Sequence, residues 1–379
     1  MSDFVSNRQI KALILCAGLM PATALAEYGL NMTRGVTTIS REIYDLHMLA
    51  FIMVSIIGLI VFGLMIWSII HHRKSKGVKA SQFRHNSNWE TVWTIIPILI
   101  LLSFAAPATR TLIELEDIED TEMTIKVTGY QWRWHYQYLE EDFGFFSSLA
   151  SDHNEARQKN SGIDVSKIEN YLLEVDNPVV IPVETKIRFL LTSNDVIHAW
   201  WVPELGWKRD AIPGFINSNW TMVTEPGIYR GQCAELCGRD HGFMPVVLKA
   251  VPQEEYLQWA KDMKQQQAEA ASGVDREWTM AELMERGESV YTTACVSCHQ
   301  ANGQGLPPVF PALTGSPIAT GPISDHISIV IDGMQGTTMP AFGEQLNAVD
   351  IAAVITFERN ALGNSVGDMV QPAEIQAAQ

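Results

Sequence analysis

Cys233-Ala-Glu-Leu-Cys237-Gly-Arg-Asp-His241-Gly-Phe-Met244 packs two thiols, an imidazole and a thioether into one short stretch. One loop with this spacing can aim soft donors at a single point, and His198 is available from elsewhere in the chain to complete the set. Sulfur with imidazole is copper chemistry. Two bridging thiolates can hold two copper ions close together, each capped by one histidine. Met244 and the backbone carbonyl of Glu235 can then serve as weak axial donors. A structural Cys2His2 zinc site shares the spacing, and Met244 weighs against it because zinc rarely takes a thioether.

A second cluster, Cys295-Val-Ser-Cys298-His299, reads as covalent c-type haem attachment. Cys295 and Cys298 would form thioether bonds to the haem vinyls, with His299 as proximal ligand. Gly303-Gln304-Gly305 follows, and Met339-Pro340-Ala341-Phe342 lies downstream. Met339 is the candidate sixth ligand, and a Met/His pair raises the haem potential. Met334, between Gly333 and Gln335, and His326 are the alternatives. A copper centre and a haem on one chain imply electron transfer between them.

These clusters must be held by separate elements. The chain has 379 residues, enough for two or three modest domains, and a net charge of −16. That charge argues against a nucleic-acid partner and suits a basic protein partner. Of the five cysteines, Cys16 lies in a leader-like segment and the other four lie in the two clusters, leaving none for a disulfide framework.

Residues 1–26 carry Arg8 and Lys11, an apolar stretch and Ala24-Leu25-Ala26, the pattern of a signal peptide cleaved after Ala26. An uncleaved anchor is one other reading, and a lipoprotein processed at Cys16 is a weaker one because bulky Leu15 precedes it. Residues 46–70 contain no Asp, Glu, Lys or Arg. As a helix they span about 37 Å, enough for a hydrocarbon core of about 30 Å. Arg73, Lys74, Lys76, Lys79 and Arg84 follow without an acid, so this loop is expected on the cytoplasmic side. A second apolar run covers residues 91–108 and leads into acidic Glu114-Leu-Glu-Asp-Ile-Glu-Asp-Thr-Glu122. The pair reads as a transmembrane hairpin with both ends outside, against the alternative of a buried soluble hairpin.

From Thr124 the texture turns to short β-rich runs at 124–129, 172–175, 179–181, 186–191, 219–223 and 246–251. Turn signals such as Asp176-Asn177-Pro178 and Glu225-Pro226-Gly227 separate them, which predicts an antiparallel sandwich or barrel. Residues 140–170 read as a polar insertion loop with some helix. A terminal helix is expected over 254–264 and a Gln/Ala/Ser-rich linker over 265–273. Helices over 279–291 and 350–360 bracket the haem motif.

The pattern C-x-E-x-C-G-x-x-H-x-x-M resembles the binuclear copper (CuA) loop of cytochrome c oxidase subunit II. Supporting stretches are Asn194-Asp195-Val196-Ile197-His198-Ala199-Trp200, Gln131-Trp132-Arg133-Trp134-His135-Tyr136, Asp176-Asn177-Pro178-Val179-Val180-Ile181-Pro182 and Asp210-Ala211-Ile212-Pro213-Gly214. The resemblance covers residues 40–260. With the haem motif, the whole is similar to the cytochrome-c-fused, caa-type oxidases.

The resemblance implies a multi-domain membrane protein. Its parts are a signal peptide (1–26), a two-helix transmembrane hairpin (40–112), a cupredoxin-like Greek-key β-sandwich (122–260), a linker (261–275), a small all-α class I cytochrome c domain (276–363) and a loose tail (364–379). It implies copper on His198, Cys233, Cys237, His241, Met244 and the Glu235 carbonyl. It further implies a magnesium ion reached by the Glu235 carboxylate, shared with catalytic subunit I. Trp132 matches the tryptophan that receives electrons, and Glu90 matches a carboxylate at the mouth of a proton channel. Packing and helix-end capping are the ordinary readings of those two residues.

The implied partners are subunit I, other oxidase subunits and a soluble or membrane-bound c-type cytochrome donor. The implied place is a bacterial inner membrane, spanned more than once, with copper and haem on the outer face. Electrons would pass from donor to haem c, to copper, to the haem of subunit I. Dioxygen reduction to water and proton translocation would occur there.

Three other functions share parts of this pattern. A nitrous oxide reductase uses such a copper loop but needs a multi-histidine catalytic domain, and ten scattered histidines cannot build one. A quinol oxidase subunit lacks the copper ligands. A zinc-stabilised, membrane-anchored binding protein would be separated by a metal assay.

Overall fold

The computed structural model describes residues 31–79, 84–158, 161–334, 336–337, 339–343 and 345–379. The signal-peptide expectation lies outside these residues, as does part of the basic loop.

Among the described residues two long helices come first, α1 (Thr38–His71) and α2 (Ser87–Glu116). With 34 and 30 residues they extend about 51 and about 45 Å. Their most apolar windows bury nothing inside the protein. A helix apolar on all sides with no protein cover belongs in lipid. Thr37 and Ser40 close a capping box at the start of α1, and Asn86 caps α2. Pro97 and Pro107 sit inside α2.

Ten strands follow: β1 (Met123–Tyr130), β2 (Arg133–Tyr138), β3 (Phe143–Ser147), β4 (Val179–Pro182), β5 (Ile187–Ser193), β6 (His198–Val202), β7 (Trp207–Ala211), β8 (Asn217–Thr221), β9 (Gly227–Cys233) and β10 (Pro245–Val251). They form two five-stranded sheets, β3-β2-β1-β5-β8 and β4-β10-β9-β6-β7. The sandwich is mixed, because β1 pairs with β5 and β4 with β10 in parallel. Alternation drives it: Ile187, Phe189 and Leu191 point inward from β5. Trp134, Tyr136, Tyr138, Phe189 and Trp200 are fully buried. The Trp200 indole donates to the Tyr136 hydroxyl at 3.1 Å, and the Tyr138 hydroxyl donates to the Val180 carbonyl at 2.7 Å. Large aromatics can be buried here because their polar ends find partners.

The sandwich is seated on the helix ends away from the basic loop. Trp220 donates to the Glu114 carbonyl at 3.0 Å, Arg209 pairs with Glu116, and Arg41 of α1 pairs with Glu225.

A helical domain ends the chain. Between strands and domain, α3 (Ser151–Ala156) lies in the insertion and α4 (Gln253–Ser272) packs on β3 and β4. Then come α5 (Met280–Ala294), α6 (Val296–His299), α7 (Pro317–Thr320), α8 (Ile323–Asp332), α9 (Ala348–Asn360) and α10 (Pro372–Ala378). The main packing is α5 across α9. Gly287 permits it: a Cβ there would lie 2.2 Å from the Ala353 carbonyl oxygen.

Four expectations are corrected. Residues 172–175 form no strand, because Leu172 adopts a left-handed φ of 66° and only Val175 makes a bridge, to Leu149. The expected polar loop begins instead with β3, whose Phe143 is buried. The linker is helical through Ser272, since its Gln, Ala and Glu residues are strong helix formers. The tail is not loose. Val370 and Ile375 are fully buried against the haem-domain core, and Arg359 pairs with Asp368 at 2.7 Å.

Ile375→Ala should therefore destabilise the C-terminal domain by about 2–4 kcal/mol, the cost of a buried aliphatic truncation. Thermal unfolding of the full chain followed at the haem band measures this. A loose tail would give no shift.

Candidate metal and haem centres

His198 opens β6 and is fully buried. Its neighbour β9 ends on Cys233, with Trp200 opposite Cys233 in the ladder. The loop from β9 to β10 carries Cys237, His241 and Met244. Backbone bonds fix that loop: Ala234 donates to Ala199 at 2.9 Å and Cys233 to Met244 at 3.3 Å.

The candidate ligands converge. The two sulfurs are 3.8 Å apart. His198 Nδ1 lies 3.9 Å from Cys233 Sγ and His241 Nδ1 lies 3.5 Å from Cys237 Sγ. Met244 Sδ is 3.5 Å from Cys237 Sγ, and the Glu235 carbonyl is 3.3 Å from Cys233 Sγ. His198, Cys233 and Cys237 place ligand atoms within 4.8 Å of one another, all buried. Two soft sulfurs between two imidazoles, with a thioether and a carbonyl beside them, fit a pair of copper ions.

The metal-free thiols are electrostatically linked. A hydrogen bond from Cys237 holds the Cys233 thiol far below its ordinary range, against burial and with help from His198. The same contact and burial push Cys237 up. Burial works to lower His198, but its bonds to Asp195 and Cys233 outweigh this and raise it.

Asp195 has a role that spacing alone did not assign. Its carboxylate accepts from His198 Nε2 at 2.9 Å and from the Gln131 N–H at 2.7 Å. It fixes the tautomer that leaves Nδ1 free towards sulfur. Its position three residues before His198 was the available signal. Arg157, from just after α3, pairs with buried Asp240 at 3.0 Å and lies over Phe243 at 4.2 Å. This clamp holds both sides of His241.

Trp132 sits between β1 and β2. Its indole N–H donates to the Cys237 carbonyl at 3.1 Å, and the Gln131 amide donates to the same oxygen at 2.8 Å. Gly238 allows this approach: with φ at 116°, a Cβ there would be 3.2 Å from the Trp132 ring. Glu90 lies in the first turn of α2, where it accepts from the Asn86 N–H at 3.1 Å. That is the basic-loop end of the helix, away from both clusters.

The second cluster surrounds a cavity of about 390 Å³ lined by Cys295, Cys298, His299 and Met339. His299 Nδ1 donates to the Pro311 carbonyl at 3.0 Å, leaving Nε2 to bind iron. Met334 also lines the cavity but is 39% exposed, whereas Met339 packs against the core. His326 has its Nε2 engaged by Glu358 at 2.8 Å. These residues fit a haem c with His299 and Met339 on the iron.

The two centres share a seam. Leu306, Val309 and Phe310 of the helical domain line a cleft with Trp132, Gly238 and Arg239. Arg239 donates to the Ser297 carbonyl, between the two haem cysteines, at 3.1 Å.

Three family models match this chain. Residues 123–251 match the periplasmic domain of cytochrome c oxidase subunit II, residues 26–111 its transmembrane domain, and residues 282–357 subunit III of the cbb3-type oxidase. "Probable cytochrome c oxidase subunit 2" of Rickettsia bellii is 38% identical over 248 residues, 65% of this chain and 88% of that protein. The chain belongs to the cytochrome c oxidase subunit II family.

The protein of the same name from Rickettsia prowazekii is 43% identical over 222 residues, 58% of this chain and 68% of that one. A crystal structure of the periplasmic domain of subunit II from Bradyrhizobium japonicum is 39% identical. It covers 39% of this chain and 98% of that one, with a TM-score of 0.35. The chain is thus a membrane-bound oxidase subunit II whose cupredoxin-like domain is followed by a cytochrome c domain. Membership implies a CuA centre and a haem c.

Asp195→Ala should weaken copper binding roughly 10–100-fold, as expected when the partner of a ligating histidine is lost. Copper titration against a chelator reads this. Unchanged affinity would mean that Asp195 does not orient His198.

Proposed function

We propose that this subunit carries electrons from a c-type cytochrome through its haem c and CuA centre to the haem of catalytic subunit I. Dioxygen is reduced to water there, and proton translocation is coupled to that step in a haem–copper oxidase. One observation carries the reading. Trp132 is bonded to the backbone of Cys237 and also lines the cavity that holds Cys295, Cys298 and His299 of the haem domain. The residue facing copper is thus also the residue facing haem.

In this reading Cys295 and Cys298 attach the haem, and His299 and Met339 bind its iron. His198, Cys233, Cys237, His241, Met244 and the Glu235 carbonyl hold copper. Bound there, the two groups supply one-electron carriers whose ligands are fixed by the sheet and the helices. The chain's own residues set the geometry. Asp195 orients His198, the Arg157–Asp240 pair braces His241, and Pro311 orients His299.

The Glu235 side chain is exposed next to Leu236, which is 78% exposed. That face suits contact with subunit I and the shared magnesium ion. Glu90 stands at the opposite membrane face, where a proton path of subunit I would open. The proposed domain limits are 40–112 for the hairpin, 122–260 for the copper domain, 261–275 for the linker, helical through Ser272, and 276–363 for the cytochrome, onto which the 364–379 tail packs. The proposed place is a bacterial inner membrane, with copper and haem periplasmic and the basic loop cytoplasmic.

Trp132→Ala should slow haem-to-copper electron transfer at least tenfold, about 1.4 kcal/mol of barrier. The copper and haem spectra should be retained. Rapid photoreduction of the haem followed at the CuA band measures it, and an unchanged rate would remove Trp132 from the route. For topology, protease added to intact spheroplasts should release a soluble fragment holding copper and haem. Release only from inverted vesicles would reverse the orientation.

A further inference from the structure

Arg133 is the first residue of β2, directly after Trp132, yet its side chain leaves the copper domain. It is 7% exposed and lies on the wall of the haem cavity with Cys295, Met339 and Phe342. The guanidinium lies 4.2 Å over Phe146 of its own domain and 5.3 Å over Phe342 of the haem domain. Its Nη2 donates to the side-chain oxygen of Gln345. Among the described residues it makes no ion pair. Within the copper domain Tyr130 and then Asp176 act on it electrostatically, and burial raises the Asp176 carboxyl to about 6.

A buried cation held by an amide and two ring faces is costly unless a negative charge completes its surroundings. The haem domain supplies no free cation of its own. Between residues 276 and 379 the basic residues are Arg276, Arg286 and Arg359, against eleven acids. Each is paired: with Glu282, Asp350 and Asp368 respectively. Burial lowers Arg133 only to about 10, so it stays protonated at neutral pH.

We propose that Arg133 is a positioning residue that couples the oxidation state of the haem to the docking of the haem domain on the copper domain. One-electron reduction by the donor adds one negative charge inside the cavity that Arg133 lines. The buried cation stabilises that state, so the haem potential is higher in the docked arrangement. By linkage, reduction must tighten docking by the same factor. With haem bound, Arg133 would thereby hold its reduced form beside Trp132 more tightly than its oxidised form. The cation acts from a desolvated position, so salt screens it far less than a surface pair.

This inference rests on the haem assignment made above, and the two fail differently. Absence of a haem c spectrum in the wild-type protein would refute the assignment. The test of the inference is the haem midpoint potential in the full-length holoprotein. Arg133→Gln should lower the ratio of reduced to oxidised haem about tenfold at fixed potential, a shift of about 59 mV for one electron. Arg133→Lys should restore most of it. Gln345→Leu, which removes the hydrogen bond and keeps the cation, should leave the potential unshifted.

Hydrogen exchange at residues 306–310 should be slower in the reduced than in the oxidised wild type, and this difference should vanish in Arg133→Gln. An unshifted potential in Arg133→Gln with intact haem and copper spectra would overturn the proposal. So would equal shifts in the Lys and Gln variants, or a Gln345→Leu shift as large as that of Arg133→Gln. Each of these would reduce Arg133 to packing.

Discussion

The ladder between β6 and β9 is the constraint on which the rest depends. It sets Trp200 opposite Cys233, and so puts His198 beside the first copper sulfur. Every other candidate ligand lies on the short loop that leaves this ladder for β10. A register slip of one residue would turn the alternating side chains to the opposite faces of the sheet. The buried aromatics of the sandwich therefore do more than fill space. Trp134 stands edge-on to His198 with ring centroids 5.8 Å apart, so the core and the metal site are packed as one body.

The cytochrome domain is added to this body at one place, the turn that carries Trp132. The cleft walled by Leu306, Val309 and Phe310, the Arg239 bond to Ser297 and the Arg133 bond to Gln345 all meet there.

Much of this was legible in the sequence because the chemistry is local. The copper loop and the haem motif each lie within a dozen residues, and the apolar runs announce the hairpin by length. The strands β2, β3, β6, β7 and β9 hide for a physical reason. They carry polar or aromatic residues such as Arg133, His135, Lys208, Asp210 and Gln232, which blur the two-residue alternation. Asp195 and Arg157 act on ligands from a distance in space, and Arg133 acts across a domain boundary, so spacing alone could not assign them. Low apolar content in the tail and the linker suggests disorder. Buried Val370 and Ile375 with the Arg359–Asp368 pair order one, and helix propensity with packing against β3 and β4 orders the other.

The helix α4 has one further consequence. Twenty residues of helix form a strut of about 30 Å, and its first half is bolted to the sandwich through Tyr256, Trp259 and Ala260. A coil of equal length would let its cargo sample a wide volume, while a strut permits rotation only near its far end. The local concentration of haem at the copper domain is then a fixed property of the molecule. A haem bound in that domain would meet the copper domain at a concentration that the strut sets, whatever the abundance of soluble cytochrome around it.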